Sequence, residues 1–362
     1  MRYLLAPLAA GFGLGVKLRR AAYRRGWFET RKLDRPVVSV GNLTVGGSGK
    51  TPLVGLLLEI FLKRGWRPCV LTRGYGRRSG GAIIVLEPGS ARAPTAREVG
   101  DEGALLARKF PQVPIVVAAD RYRAGRLAEE RFKVDVHLLD DGFQHWGLAR
   151  DVDVVLLDVT QGFSDCGLLP AGRLREPWAA LERAHIVVLT RAELGDPALV
   201  EAKVRRINPQ VKSFVSTTKL CGLLDVSSGA VRSQDVFQAK PVFAFCGIGN
   251  PKAFFADLRK WGYSVSAEFS FRDHHAYSSA ELSRLGARAG RAQASALVTT
   301  EKDAMNFPLL WESRVPIVAC RVESEVTEAE DFEEALMSQL EPGRAGQSPA
   351  ATTALPTALR KS

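Results

Sequence analysis

The chain has 362 residues, 46% of them hydrophobic and 25% charged, and carries a formal net charge of +11. That length suffices for two ordinary domains, and the composition is that of a soluble globular protein. The five cysteines (Cys69, Cys166, Cys221, Cys246, Cys320) are scattered without a CxxC pair, which argues against a disulfide framework or a zinc site. Cys69, Cys246 and Cys320 sit in apolar runs and read as buried thiols of a reducing cytosol.

From the N-terminus, Tyr3 to Val16 is a 14-residue uncharged, mostly apolar stretch. Lys17, Arg19, Arg20, Arg24, Arg25, Arg31 and Lys32 follow within sixteen residues, against Glu29 alone, so this short segment carries +6 of the net charge. The apolar stretch is too short for a comfortable membrane span. Its charge comes after the apolar part, the reverse of a signal peptide, and no cleavage site ends it. An interfacial or partly inserted helix, with its cations on an anionic cytoplasmic leaflet, fits this order. A helix packed on the domain with a solvated basic end is the alternative. The positive charge is not interleaved with aromatics, so no nucleic acid is expected. No obligate protein partner is evident.

The apolar run Val37 to Val40 predicts a buried strand, and Leu53 to Leu62 a helix. Between them lies Gly41-Asn-Leu-Thr-Val-Gly-Gly-Ser-Gly-Lys-Thr-Pro52. Strand, glycine turn, Lys, Thr, helix is the phosphate-cradling order of P-loop proteins. Glycines let backbone N–H groups point at a polyphosphate, and the helix N-terminus adds its positive end. The match is imperfect: Thr44 stands where the first glycine belongs, and Gly46 and Gly47 supply the turn. Ser48 and Gly49 complete the loop, Lys50 would reach the β/γ-phosphates, and the Thr51 hydroxyl would ligate Mg²⁺.

Further strands are expected at Arg67–Leu71, Ala82–Leu86, Pro114–Ala119, Val134–Leu139, Val152–Leu157 and Ile186–Leu189, with helices at Glu102–Lys109 and Arg123–Arg131. Strands alternating with helices, and polar motifs at the strand ends, indicate a parallel doubly wound sheet. Ligands bind beyond such strand ends. Between Thr217 and Lys240 the pattern loosens, and Leu223 to Val231 reads as a hairpin. Alternation resumes with strands at Val242–Cys246, Val265–Phe271, Ala296–Thr299 and Val315–Ala319. Helices are expected from the Gly247-Ile-Gly-Asn-Pro turn to about Trp261, at Ser279–Arg288 and at Glu328–Leu340. That glycine turn lacks a third glycine and a lysine, so it reads as a tight βα turn. The chain divides into an N-terminal segment (1–32), a P-loop domain (33–220), a β-hairpin linker (221–240), a smaller α/β domain (241–340) and a disordered tail (341–362).

Val136-His-Leu-Leu-Asp-Asp141 has the form of a Walker B element, an apolar strand delivering Asp140 and Asp141 beside the P-loop to hold Mg²⁺. His137 and His185 lie in or beside apolar strands and read as packed. His145 and His274 follow strands in polar motifs where a ligand can reach them, and spacing does not choose between His274 and His275. Arg121, Arg173 and Arg175 flank these motifs and suit phosphate oxygens.

Taken together, these motifs resemble the tetraacyldisaccharide 4′-kinase family. The P-loop stretch, Thr72-Arg-Gly-Tyr-Gly-Arg77, Gly100-Asp-Glu-Gly103, Asp120-Arg121 and Leu139-Asp-Asp-Gly-Phe-Gln-His145 carry the resemblance. So do Leu169 to Pro177, Phe271-Arg-Asp-His-His275 and Thr299-Thr-Glu-Lys-Asp303, all in family order to about position 340. The resemblance implies two α/β (Rossmann-like) domains, the first of P-loop type, with the active site in the cleft between them. It implies attachment to the cytoplasmic face of the bacterial inner membrane through the N-terminal helix. It implies transfer of the ATP γ-phosphate to the 4′-hydroxyl of a tetraacylated glucosamine disaccharide 1-phosphate, the lipid A precursor, giving lipid IVA. Asp101 then corresponds to a catalytic aspartate paired with His274, and Arg121, Gln144, His145 and Arg175 to substrate-side residues. Arg173 stands where the family usually has proline, so which of Arg173 and Arg175 meets the lipid phosphate stays open. After Thr300-Glu-Lys-Asp303 the family's usual basic residue is missing; Asn306 lies nearby, and no role is assigned there. The competing function is a membrane-docked P-loop GTPase or ATPase switch that releases free phosphate.

Overall fold

The computed structural model describes residues 2–77, 81–92, 94–161 and 167–340; Cys166 and the expected tail lie outside them. Helix α1 (Arg2–Arg24) leads, followed by β1 (Val37–Asn42), α2 (Lys50–Lys63), β2 (Pro68–Thr72), β3 (Ile84–Leu86), α3 (Ala96–Val99), α4 (Asp101–Lys109), β4 (Ile115–Val117), α5 (Arg121–Arg131) and β5 (Val136–Asp140). Next come β6 (Val152–Asp158), β7 (Ile186–Thr190), α6 (Pro197–Ile207), β8 (Lys212–Asp225) and β9 (Val231–Arg232). The second half contains β10 (Pro241–Cys246), α7 (Pro251–Lys260), β11 (Ser264–Ser270), α8 (Ser279–Arg291), β12 (Ala296–Thr300), α9 (Glu301–Ala304), β13 (Ile317–Val326) and α10 (Ala329–Leu340).

Among the described residues these strands form one sheet in the order β11-β10-β12-β13-β8-β7-β6-β1-β5-β2-β4-β3, with β9 beside β8. The α/β alternation read from the sequence is therefore present, as two sets of parallel strands. Strands β1, β2, β5, β6 and β7 are buried along their whole length, which is why they read as continuous apolar runs. The two sets meet where β8 pairs antiparallel with β13, from Asp225 opposite Val318 to Ser216 opposite Val326, with a register shift between Arg321 and Val322. β8 continues parallel to β7, so hydrogen bonding runs unbroken from one half to the other. The expected hairpin exists as β8 with β9.

Strand β1 lies between β5 and β6. The chain adds strands on one side of β1 and then crosses to the other, the switch point at which open α/β sheets bind ligands. In the first half β1, β2, β5, β6 and β7 end at Asn42, Thr72, Asp140, Asp158 and Thr190. The second-half strands β10, β11 and β12 end at Cys246, Ser270 and Thr300. Residues at or just beyond ends from both sets line one cleft of about 670 Å³. Helix α2 is pinned beneath the phosphate loop by Leu53, Val54, Leu57, Leu58 and Phe61, all fully buried. Each such side chain contributes roughly 1.5–3 kcal/mol of burial, which holds the loop on a rigid base.

Helix α1 leans on the body through its C-terminal part: Ala22 is buried, Tyr23 stacks on Trp146 and Arg20 pairs with Glu182. Leu8, Phe12, Leu14 and Leu18 remain exposed on it, as do Trp27 and Phe28 after it. Among the described residues no helix is long and apolar enough to cross a membrane.

Candidate active site

The phosphate loop leaves β1 at Asn42 and enters α2 at Lys50. Gly46 and Gly49 hold φ of +109° and +82°, a region L side chains rarely adopt. Gly49 caps α2 without any side-chain hydrogen bond, so the backbone amides of the first turn point outward uncapped. The loop is held from behind. Asn42 Nδ2 donates to Ser48 Oγ at 2.8 Å, Thr190 Oγ1 to the Ser48 carbonyl at 3.0 Å, and Arg191 Nη1 to the Gly47 carbonyl at 2.8 Å. Thr44 pairs its backbone with Leu174, and Arg173 Nη2 donates to the Val45 carbonyl at 2.9 Å. Arg173 thus braces the loop, and Gly46 to Thr51 face the cleft.

Lys50 reaches across to the end of β5. Its ammonium lies 3.5 Å from Asp141 Oδ1 and 3.4 Å from Asn42 Oδ1. Arg175 Nη1 donates to both Asp141 oxygens, at 2.9 and 2.8 Å, and to Gln144 Oε1 at 3.4 Å. Gln144 Nε2 closes the group on the Asn42 carbonyl at 3.0 Å. Burial alone would raise the Asp141 carboxyl; Lys50 and Arg175 more than offset it and hold it below the usual range. Asp141 also sits at φ +53°, a strained position for a non-glycine residue and typical of functional sites. Asp140 behaves oppositely. Burial first, then Glu102 and Asp141, push its carboxyl up to about 7. Its Oδ1 is buried without a hydrogen-bond partner, and Thr72 Oγ1 approaches Oδ2 at 3.4 Å. A buried carboxylate wanting a cation, with Asp141 and Thr51 lining the same cleft, is a set of hard oxygens that fits Mg²⁺.

Asp101 begins α4, buried to 4% exposure. Its Oδ1 accepts from the Glu102 backbone at 2.9 Å, and its Oδ2 lies 2.7 Å from His274 Nδ1. His274 follows β11, at φ +58°, with its amide donating to the Gly247 carbonyl at 3.0 Å. Burial raises the Asp101 carboxyl, but the His274 hydrogen bond and the Lys302 charge bring it below its ordinary value. For His274, burial pushes down and the Asp101 bond pushes up, and the net is a raised imidazole. The structure also chooses between the adjacent histidines: His275 stacks on Phe271 and bonds Glu281, away from Asp101. His137 and His185 are structural as expected, against Glu129 and the Asp153 amide.

The cleft therefore brings together Gly46, Gly47, Ser48, Gly49, Lys50, Thr51, Asp140, Asp141, Arg175 and His274 on its lining. Asp101 is joined to it through His274, and Gln144 through Arg175. Arg121 and His145 are not among the lining residues. Arg121 is 5% exposed, donates to the Ala119 carbonyl at 2.8 Å, and keeps a buried Nε without a partner. Burial and the neighbouring Arg73 bring its guanidinium down to about 10. Burial, then Arg121 and Arg150, push the His145 imidazole down to about 4. His145 adjoins Trp146, on which Tyr23 of α1 stacks.

Several residues escape the sequence reading. Lys302 lies 3.8 Å from Asp101 Oδ2, and Asn306 Nδ2 donates to the same oxygen at 3.4 Å. Arg191, at φ +57°, pairs with Asp158 and braces the phosphate loop. Asn250 Nδ2 reaches from the second half to Asp158 at 3.1 Å. The available signal was position: each of these groups stands at or just beyond a strand end, where one polar residue looks like any other. The Gly247–Pro251 turn is a βα turn as expected, but it packs directly on the phosphate loop, with a Cβ at Gly249 falling 2.3 Å from the Gly47 nitrogen.

The chain matches the family model described as tetraacyldisaccharide-1-P 4′-kinase over residues 1–341. It is 41% identical over 320 residues to the tetraacyldisaccharide 4′-kinase of Geobacter metallireducens, covering 88% of this chain and 92% of that one. It is 42% identical over 330 residues to that of Koribacter versatilis, covering 90% and 95%. Among solved structures it resembles LpxK from Aquifex aeolicus in complex with ATP, with a TM-score of 0.74, 30% identity and coverage of 94% of this chain and 99% of that one.

Proposed function

The chain belongs to the tetraacyldisaccharide-1-P 4′-kinase family, and from that premise we propose how its cleft transfers phosphate. The reaction is ATP-dependent phosphorylation of the 4′-hydroxyl of a tetraacyldisaccharide 1-phosphate in lipid A synthesis. The phosphate chain of ATP lies on the amides of Gly46 to Thr51, with Lys50 on the oxygens that gain charge during transfer. Thr51, Asp140 and Asp141 would hold Mg²⁺, which supplies charge neutralisation to the phosphates. Asp141 keeps Lys50 and Arg175 within reach of one another, so its neighbours orient both ends of the transfer.

Asp101 takes the proton of the attacking hydroxyl, and His274 orients the Asp101 carboxylate and shares its charge. The observation that carries this reading is the 2.7 Å contact between His274 Nδ1 and Asp101 Oδ2. Asp101 belongs to the first half and His274 to the second, so the base is completed only when the halves meet. Closure of this kind also excludes water that would otherwise take the phosphate.

Arg175 and Gln144, with Arg121 and His145 behind them, form the acceptor side. This is supported by their nearness to α1, whose Gly13 abuts Leu168 of the segment leading to Arg173 and Arg175. Helix α1 lies in the cytoplasmic face of the inner membrane, with Leu8, Phe12, Leu14 and Leu18 toward the acyl region and its arginines on anionic headgroups. An amphiphilic acceptor is then delivered beside the site.

Transfer of labelled γ-phosphate from ATP to the lipid acceptor in detergent tests the reading. The expected product is a phosphorylated lipid, and Lys50→Ala should cut kcat by about 10²–10³. Release of free phosphate alone would mark a nucleotide switch, and near-normal turnover of Lys50→Ala at saturating ATP would remove the nucleotide from this loop.

A further inference from the structure

Lys302 lies in the short helix α9, just after β12, and lines the cleft. Its ammonium lies 3.1 Å from Glu102 Oε1, 3.8 Å from Asp101 Oδ2 and 4.0 Å from Asp273 Oδ1. His274 touches two of the same acids, with Nδ1 2.7 Å from Asp101 Oδ2 and Nε2 3.8 Å from Asp273 Oδ1. Asp101, His274, Asp273 and Lys302 therefore form a closed ring of alternating charge, with Asp101 from α4 and the other three from the second half of the chain. A mostly buried ammonium is tolerated only when acids surround it, and here they raise its pKa despite burial.

Asp101 needs that cation. From its own helix it faces Glu102, from the loop after β11 Asp273 and His274, from α9 Lys302, and the neutral Asn306 beyond. Asp140, Asp141 and Lys50 line the same cleft. A bound polyphosphate adds further negative charge. His274 alone would then balance two neighbouring acids and the nucleotide.

We propose that Lys302 is a positioning residue for the transfer, holding the Asp101 carboxylate ionised and aligned on His274 when the two halves meet. This rests on the reading of Asp101 as the base. Lys302 touches no reacting atom; it acts through Asp101. It also bonds Glu102 Oε1 at 3.1 Å, so one cation offsets a neighbouring acid and attracts the Asp101 carboxylate.

The test is the pH dependence of kcat for labelled γ-phosphate transfer by the full-length protein. Lys302→Met and Lys302→Gln should move the acidic limb upward by about 1–3 units, as loss of an opposite charge at this range does. Turnover should recover at high pH, and Lys302→Arg should keep the limb near its original position. Glu102→Gln removes a like charge and should move the limb the other way. Lys109→Met is the control: it breaks another contact between the halves, Lys109 Nζ to Glu301 Oε2 at 2.7 Å, without touching Asp101. It should leave the limb in place. An unmoved limb in folded Lys302→Met or Lys302→Gln, or an equal shift in Lys109→Met, overturns the proposal while leaving Asp101 as the base. Should Asp101→Asn itself keep near-normal turnover, the reading beneath the proposal fails instead.

Discussion

Gly249 of the second half packs against Gly46 of the phosphate loop so closely that a Cβ on Gly249 would lie 2.6 Å from the Gly46 Cα. No flexible side chain stands between them that could give way; the contact is backbone on backbone. The Asn250–Asp158 hydrogen bond and the Arg191 bond to the Gly47 carbonyl sit beside it. Together they link the nucleotide loop to the half that carries His274.

Gly249→Ala should therefore prise the halves apart without unfolding either. Overpacking of this kind costs about 1–3 kcal/mol, which here falls on closure. The expected outcome is a fall in kcat/KM of about tenfold or more, with the melting temperature nearly unchanged. Wild-type kinetics would mean that the two turns do not meet during turnover.

Removal of residues 1–25 should shift the protein from the membrane fraction toward the soluble one. Neutralising Arg19, Arg20, Arg24 and Arg25 should weaken binding to anionic vesicles, more visibly at low salt, because screening already weakens these charges at high salt. Arg20 also pairs with Glu182 on the body, so its share should be the smallest of the four. Vesicle binding that survives both changes would make α1 a packing element.

The two site histidines should titrate in opposite senses. His145 is pushed down to about 4 by burial and by Arg121 and Arg150, so its imidazole should show no titration by NMR between about pH 5 and 8. His274 is raised by its bond to Asp101 against the pull of burial. Its charge is thus fully present below the ordinary imidazole value and lost as pH rises through the raised one. Asp101→Asn should lower the His274 pKa, and an unchanged value would separate the two groups.

Much of this architecture is legible in the residues. Val37–Asn42 and Val136–Asp140 are buried on both faces, so their apolar runs announce parallel strands, and the glycine loop and paired aspartates fall at their ends. Strand β8 was not legible. Its alternating burial, with Lys212, Thr217, Thr218 and Lys219 on or near the surface, looks like a polar connection. It is a strand because β7 and β13 cover its two edges, a long-range fact no local window contains. Helix α6 was missed too, although Asp196 caps it and Pro197 opens it, because only Val200 and Val204 on it are buried. At the site, residues that stand in a local motif could be named, such as Lys50 in the glycine loop and Asp141 at a strand end. Lys302 and Asn306 matter because a chain segment about 200 residues away brings Asp101 to them, which the motif spacing does not encode.

The central claim is that Asp101 and His274 act as one unit across the cleft, and a double-mutant cycle tests it most directly. Asp101→Ala and His274→Ala should each lower kcat by about 10²–10⁴, the usual worth of general-base help, with ATP affinity nearly intact. The account predicts that the double mutant loses far less than the product of the two, because neither residue does its work without the other. Fully multiplicative losses would contradict it, as would an Asp101→Ala enzyme that keeps its pH dependence while Asp141→Ala loses it.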